Sequence, residues 1–387
     1  MFYPNFVWSL LAITPFLQVV DAGIARNLEG KLVRVMTPLG VTQVRHRSAR
    51  AMSENALVRE GVRLTSGFWD YFWDPDYQHF RTTRKGSETV GEWNGYTLWP
   101  YIIGVEALLE AEVARPGQFA NEITAAFAGV EKFFSVEYNA YTAWVYFPGN
   151  SDIYYDDNAQ VVIALLRASE IPTVSNAKYL SRAKKVTDFL LTGWDATNGG
   201  MKWHVEMATR NACSTSLTAV AVLKLARMGQ RTSGKTRNEL IAFARTAVQW
   251  ILNELQLDSG LIVDGVGGGP TYTYNTGITL HALCLLQEVS PSPDLAAKAQ
   301  RLVEAALNRS KSLFDTTVAN TEYRYWWDFT FFLHLLFEGL TEYTRVFGAS
   351  NQATVAKIRT ELTRHTAYMQ KYIKDDNDGL YVLRRSA

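Results

Sequence analysis

Beyond Arg50 the sequence alternates between two kinds of helical stretch, and few folds accommodate such an alternation. One kind is amphipathic. Residues 119–134 set Phe119, Ile123, Phe127, Val130 and Phe134 on one stripe, and 240–255 do the same with Leu240, Ala244, Ala247, Ile251 and Leu255. Stretches 179–190, 295–306 and 355–373 repeat the pattern, which leaves one face of each helix wet. The other kind is apolar or small almost all round: 159–168, 216–226, 277–286 and 329–340. Stretch 98–111 joins them, because Pro100 falls in its first turn, where a missing N–H costs nothing. Such helices need cover on both sides. Wet and buried helices in alternation predict two concentric layers, an all-α α/α barrel, with a helical-repeat solenoid as the rival.

The connections alternate too. Links from a buried helix to the next wet one are brief, as at 171–178 and 289–294; those in the other direction are long and rich in Gly, Asp and aromatics, as at 194–211 and 257–275. Long loops inside a compact domain are usually functional. If the buried helices all run the same way, every long loop reaches the rim where their N-termini open. Asn94, Asp156, Asp157, Asn211, Tyr274, Asn275 and Asp328 share that phase of the repeat and are expected to line one mouth.

The chemistry in this pattern sits in SDIYYDDNAQVVIALL, residues 151–166, where Asp156 and Asp157 adjoin at the head of a buried helix. Two crowded carboxyls repel one another's charge, so one ionises early while the other keeps its proton. That division supplies a nucleophile and an acid. The bland alternative is that Asp157 caps a helix beginning at Asn158 while Asp156 is solvated. Inside a regular helix adjacent side chains diverge by about 100°, so the pair is expected at an irregular start, just before Asn158.

Charge narrows the partners. With 39 Lys+Arg against 38 Asp+Glu, the net charge of +1 offers no field for nucleic acid or an acidic membrane surface, and a neutral substrate fits better. Aromatic residues make up 13% of the chain, which suits the faces of sugar rings as well as a core. Only six His occur, without ligand or base spacing, so neither a metal site nor a histidine-based sugar epimerase is favoured, and no cofactor is expected. The run at 375–379 lacks the glutamate that a calcium loop requires. Cys213 and Cys284 are expected as free buried thiols.

Residues 1–22 read as a signal peptide, 23–49 as a basic leader or arm, and 50–387 as one α/α-barrel catalytic domain. The sequon Asn308-Arg309-Ser310 agrees with secretion. No span is expected in the mature chain. After the last wet stretch no further buried one follows, so the last inner helix is expected either to be missing or to be replaced by the N-terminal segment.

Three motifs carry a resemblance: Tyr154-Tyr155-Asp156-Asp157, Gly199-Gly200-Met201-Lys202-Trp203 in the next long loop, and Tyr274-Asn275-Thr276-Gly277 opening the following buried helix. In order and spacing the chain resembles glycoside hydrolase family 76 over roughly residues 50–385. The resemblance implies an (α/α)6 barrel and a secreted or cell-wall enzyme acting on α-1,6-mannan by the retaining route, with Asp156 as nucleophile and Asp157 as acid/base. It also implies sugar contacts from Trp93, Asn94, Tyr155, Trp203, Asn211, Tyr272, Tyr274, Asn275 and Asp328, although Asp328 equally reads as a helix cap. Two alternatives stand beside hydrolysis: a cell-wall transglycosylase acting on mannan or mannose-containing glycolipid anchors, and an inactive mannan-binding wall protein.

Overall fold

A computed structural model describes residues 32–37, 40–45, 54–82, 95–374, 379 and 381. Trp93, Asn94 and the segment expected to be a signal peptide lie outside them. The helices in chain order are α1 (Glu54–Phe72), α2 (Leu98–Ala114), α3 (Ala120–Val130), α4 (Tyr155–Glu170), α5 (Ala177–Leu191) and α6 (Ala212–Arg227), then α7 (Arg237–Glu254), α8 (Thr273–Val289), α9 (Pro293–Leu307), α10 (Thr330–Phe347) and α11 (Gln352–Tyr372). Part of the expected basic arm forms a two-stranded antiparallel hairpin, Leu32–Thr37 with Gly40–Arg45. Shorter hairpins, Trp73–Asp74 with His79–Phe80 and Phe134–Ser135 with Ala140–Tyr141, sit in the first two long loops.

The even-numbered helices form the inner ring, each packed on the next from α2 to α10, and the odd-numbered helices back them. Three inner helices, α4, α6 and α8, begin one turn before their apolar runs, because that first turn opens at the mouth. α4 therefore begins at Tyr155 rather than Asn158. The inner helices are also less uniformly apolar than their sequences imply. Gln160 donates to Glu106 at 2.9 Å, Arg167 pairs with Glu110 at 2.8 Å, and His281 lies 3.7 Å from Glu338, so charged groups of α2, α4, α8 and α10 meet one another. Burial, then the charge of Glu338, pushes the Glu106 carboxyl well above its usual range.

Helix starts are satisfied differently in the two layers. Outer helices that have caps take them locally: Asn176 accepts from Lys178 N, and Thr236 with Glu239 forms a reciprocal capping box on α7. The first amides of the inner helices find their acceptors in the next long loop, and α6 has a local side-chain cap from Asn211 as well. The first amide of α2 (Leu98) donates to Ala143 O at 2.8 Å, that of α4 (Tyr155) to Trp203 O at 2.9 Å, that of α6 (Ala212) to Asp264 O at 2.8 Å, and that of α8 (Thr273) to Asp328 Oδ2 at 2.8 Å. Each long loop is thereby laid across the head of the preceding inner helix. A second tie fixes the loop to its own helix, through a polar side chain in the fourth helical position. Tyr141 N donates to Asn158 Oδ1 (2.7 Å), Met201 N to Thr215 Oγ1 (3.0 Å) and Ile262 N to Thr276 Oγ1 (3.3 Å).

Two glycine positions matter for this geometry. A Cβ on Gly277 would lie 2.4 Å from Leu336 Cα, and one on Gly339 would lie 2.1 Å from Gly277 O, so the α8 and α10 backbones touch only because both residues lack one. Gly199 and Gly200, at φ of +71° and +84°, lie against the Trp250 indole and turn the third long loop back toward the mouth.

Among the described residues there are five inner helices and six outer ones. At the mouth, α10 meets α2 through Trp99, whose ring centroid is 5.5 Å from Phe331 and 5.9 Å from Phe332. The outer layer closes through residues after α11. Lys374 pairs with Glu60 of α1 at 2.7 Å, Arg63 donates to Gly379 O at 2.6 Å, and the Tyr381 side chain is fully buried.

Candidate active site

The second residue of each inner helix faces the mouth, and in chain order these are Trp99, Asp156, Cys213, Tyr274 and Phe331. Their neighbours connect around the ring. The Cys213 thiol hydrogen-bonds Asp156 and feels the charges of Asp264 and Asp157. Tyr274 stands edge-on to Phe332 at 4.6 Å, and Phe331 meets Trp99. One half of the ring is polar and the other aromatic.

Asp156 and Asp157 are the second and third residues of α4, in a regular first turn and not at an irregular start. Their side chains therefore diverge by about 100°. The helix end supplies positive potential and free amides at this position, which is where a carboxylate is best tolerated. Asp156 takes most of that stabilisation: Asp157 N donates to its Oδ1 at 3.1 Å, and the Trp203 indole N–H to its Oδ2 at 3.0 Å. Burial nevertheless pushes its carboxyl up to about 6, with these hydrogen bonds and that of Cys213 working in the opposite direction. Asp157 receives no such donors. Burial, then the charge of Asp156, then that of Asp152, push its carboxyl well above the ordinary range. Of the two, Asp157 is the one whose surroundings favour the protonated form more strongly, and Asp156 the one whose donors favour the charge.

Trp203 stands beside the pair because its own carbonyl caps α4. Its indole is 37% exposed and rests on Tyr154, with centroids 4.9 Å apart. On the far side of the mouth Tyr272 stacks on Tyr274 at 5.3 Å and 19°. The Tyr274 hydroxyl donates to Asp264 Oδ1 at 2.8 Å, and the buried Asn275 amide donates to the same oxygen at 3.1 Å. Asp264 is a third carboxylate near the pair, its Oδ1 held by these two donors.

Not all of the expected sugar contacts face the mouth. Tyr155 is buried between α4 and α5, stacked on Phe189 at 5.0 Å and 8° and pressed against Gly193. As the first residue of the helix it points away from the second. Asp328 is turned inward and ties two elements together, accepting from Thr273 N and Oγ1 at the head of α8 and from its neighbour Phe329 N; it does not cap its own helix α10, whose N-cap is Phe329, but receives the first amide of α8. Asn211 accepts from Ser214 N at 3.0 Å and caps α6, and Asn275 sits fully buried beneath Asp264. Asp156, Asp157, Trp203, Tyr272 and Tyr274 are brought together.

Sequence reasoning missed Asp264, Cys213, Tyr154 and the Trp99–Phe331–Phe332 wall. A signal for Asp264 was present: it precedes the first residue of its inner helix by nine positions (273 − 264), as Trp203 does (212 − 203).

The sequence profile of glycosyl hydrolase family 76 matches residues 63–385. The chain belongs to that family. Among curated proteins it is 29% identical over 357 residues to the meiotically up-regulated gene 191 protein of Schizosaccharomyces pombe, covering 85% of this chain and 78% of that protein. Among solved structures it resembles a family 76 mannosidase of Bacteroides thetaiotaomicron (TM-score 0.68, 19% identity, 84% of this chain and 89% of the other). It also resembles the family 76 α-1,6-mannanase of a Salegentibacter species (TM-score 0.64, 16% identity, 84% and 90%). A variant of the latter in which two adjacent aspartates are replaced by asparagine is inactive and was solved with α-1,6-mannotriose. At such identities these structures establish the shared fold, the (α/α)6 barrel of family 76.

Proposed function

We propose that the protein is a retaining glycoside hydrolase that cleaves α-1,6-mannosidic bonds in mannan. The observation that carries this reading is the divided pair: adjacent carboxyls in the first turn of α4, with hydrogen-bond donors from Asp157 N and Trp203 favouring the charged form of Asp156 while burial and the neighbouring charge favour the protonated form of Asp157. In the first step an Asp156 oxygen bonds to the anomeric carbon, the glycosidic C–O bond breaks, and the Asp157 proton moves to the departing oxygen. In the second, water attacks the anomeric carbon, Asp157 takes its proton, and the bond to Asp156 breaks. Trp203 and Tyr154 on one side, and Tyr272 and Tyr274 on the other, suit stacking on successive sugar rings.

Adjacent aspartates whose replacement inactivates the Salegentibacter enzyme support the role given to the pair. Aromatic platforms on both sides of the pair also favour a second outcome of the same chemistry, transfer to an acceptor sugar seated where the leaving group had been. Export to the cell wall is part of the proposal and rests on the apolar stretch within residues 1–22.

The deciding experiment incubates the chain and its Asp156→Asn variant with linear α-1,6-mannan and follows product sizes by mass. Shorter oligosaccharides from the wild type alone support hydrolysis, and longer products mark a transferase. No change with the folded wild type overturns the assignment in favour of a binding role.

A further inference from the structure

The sequon Asn308-Arg309-Ser310 takes no part in the chemistry of the mouth, and its surroundings show how little of the asparagine the fold itself uses. Asn308 directly follows α9 with an extended backbone, φ −81° and ψ 101°, so the left-handed freedom of asparagine is not what places it there. Its Oδ1 accepts from Ser310 N at 3.0 Å and closes a local turn. A carboxylate oxygen serves that turn equally well: Asp74, Asp195 and Asp315 each accept from the amide two residues on in the same manner. What asparagine adds is Nδ2. Among the described residues that nitrogen donates no hydrogen bond.

The three residues are also presented as a modifying enzyme needs them. Asn308 and Ser310 are exposed. The Arg309 side chain between them is drawn away to Glu361 of α11, and its carbonyl accepts from Arg324 Nη1 at 3.1 Å. The backbone is thereby held while the amide and the hydroxyl stay in water. Because α9 packs on α8 and α10, a group carried on Asn308 stands outside the inner ring, behind those two helices and away from α4 and its aspartates. No other asparagine in the 387 residues is followed two positions on by Ser or Thr.

We propose that Asn308 is an N-glycosylation site. Its Nδ2 bonds to the anomeric carbon of an oligosaccharide carried on a lipid pyrophosphate, the bond from that carbon to the pyrophosphate oxygen breaks, and the amide gives up one proton to a base of the transferase. The Ser310 hydroxyl is the group by which the transferase recognises the site. This inference rests on the export part of the proposed function and is independent of turnover.

The full chain is expressed in a yeast secretion host, once as it stands and once behind a host secretion leader, and peptides are mapped by mass after peptide N-glycosidase, which leaves Asp where a glycosylated Asn stood. Most of the chain recovered from the medium or the secretory membranes is expected to show that conversion at position 308, with a single downward shift on a gel. Asn308→Asp keeps the acceptor oxygen of the turn and Ser310→Ala keeps its amide donor, so both variants should fold and both should lose the shift, while Ser310→Thr should retain it. Recovery of wild type with Asn308 unmodified behind the host leader overturns the proposal. So does a Ser310→Ala variant still converted at 308. Conversion behind the host leader alone upholds the site and removes the export reading from residues 1–22.

Discussion

At the scale of single residues, the site turns on two aspartates made unequal by their donors. The Trp203 indole stabilises the charged form of Asp156, so Trp203→Phe should raise that carboxyl further. The acidic limb of a kcat/KM profile, expected near pH 6, should move up by roughly 0.5–1 pH unit; a limb that stays in place would remove the indole from the tuning. Asp157 gives a stability prediction with the opposite sign from most carboxylates. Its folded-state pKa lies above the unfolded value, so the fold binds the proton more tightly, and stability falls as pH rises from the unfolded pKa through the folded one. Asp157→Asn removes that penalty and should raise Tm by about 1–4 °C at pH 7, with the gain vanishing near pH 4. Paired thermal melts at the two pH values check it. In catalysis the same position should behave as an acid. Asp157→Ala should slow substrates with poor leaving groups by about a hundredfold or more and spare activated ones, with azide restoring turnover.

At the scale of elements, the inner helices and the loops above them are one construction. Asp328→Ala leaves the Thr273 and Phe329 amides without their acceptor and should cost about 1–3 kcal/mol of unfolding free energy, measured by denaturant titration. KM for mannan should change little by comparison, since Asp328 faces inward. Tyr155→Ala should likewise register as lost stability, about 3–5 kcal/mol, through the emptied space against Phe189 and Gly193. An unchanged melting point with a large rise in KM would return Tyr155 to the substrate.

The helix positions themselves were legible, because a 3.6-residue stripe records which face is covered. The first turns were less so. A helix head that opens into a polar mouth has no apolar residues to continue the stripe, so the apolar run of α4 begins four residues after the helix does, and the aspartates fall outside it.

At the scale of the whole molecule, the outer layer is joined end to start by a few charged groups. Burial alone would raise Glu60, but hydrogen bonds from Arg63 and Lys374 hold it down at about 2. A depressed carboxyl contributes stability that is present above the unfolded pKa and is lost as pH falls through the folded value, here between about pH 4.5 and 2. Glu60→Gln should therefore lower stability at pH 7 by about 1 kcal/mol and make less difference as pH drops below 4. Equal effects at both pH values would place the contribution in packing. Ring closure was not readable beforehand, since Glu60 and Lys374 are separated by most of the chain and neither belongs to a pattern.

Local periodicity in the sequence was enough to predict two layers of helices and, on the condition that the inner ones share a direction, one mouth with the paired aspartates at it. These follow from covalent spacing, because which face of a helix is buried depends on residues a few positions apart. Tertiary structure alone decided which side chains of the mouth meet. Trp203 reaches Asp156 because its carbonyl caps a helix begun nearly fifty residues earlier. Asp264 joins the site by the same device, and Tyr155 and Asp328 leave it because the helix heads turn them inward. Such contacts form between repeats, at distances that no short-range pattern records.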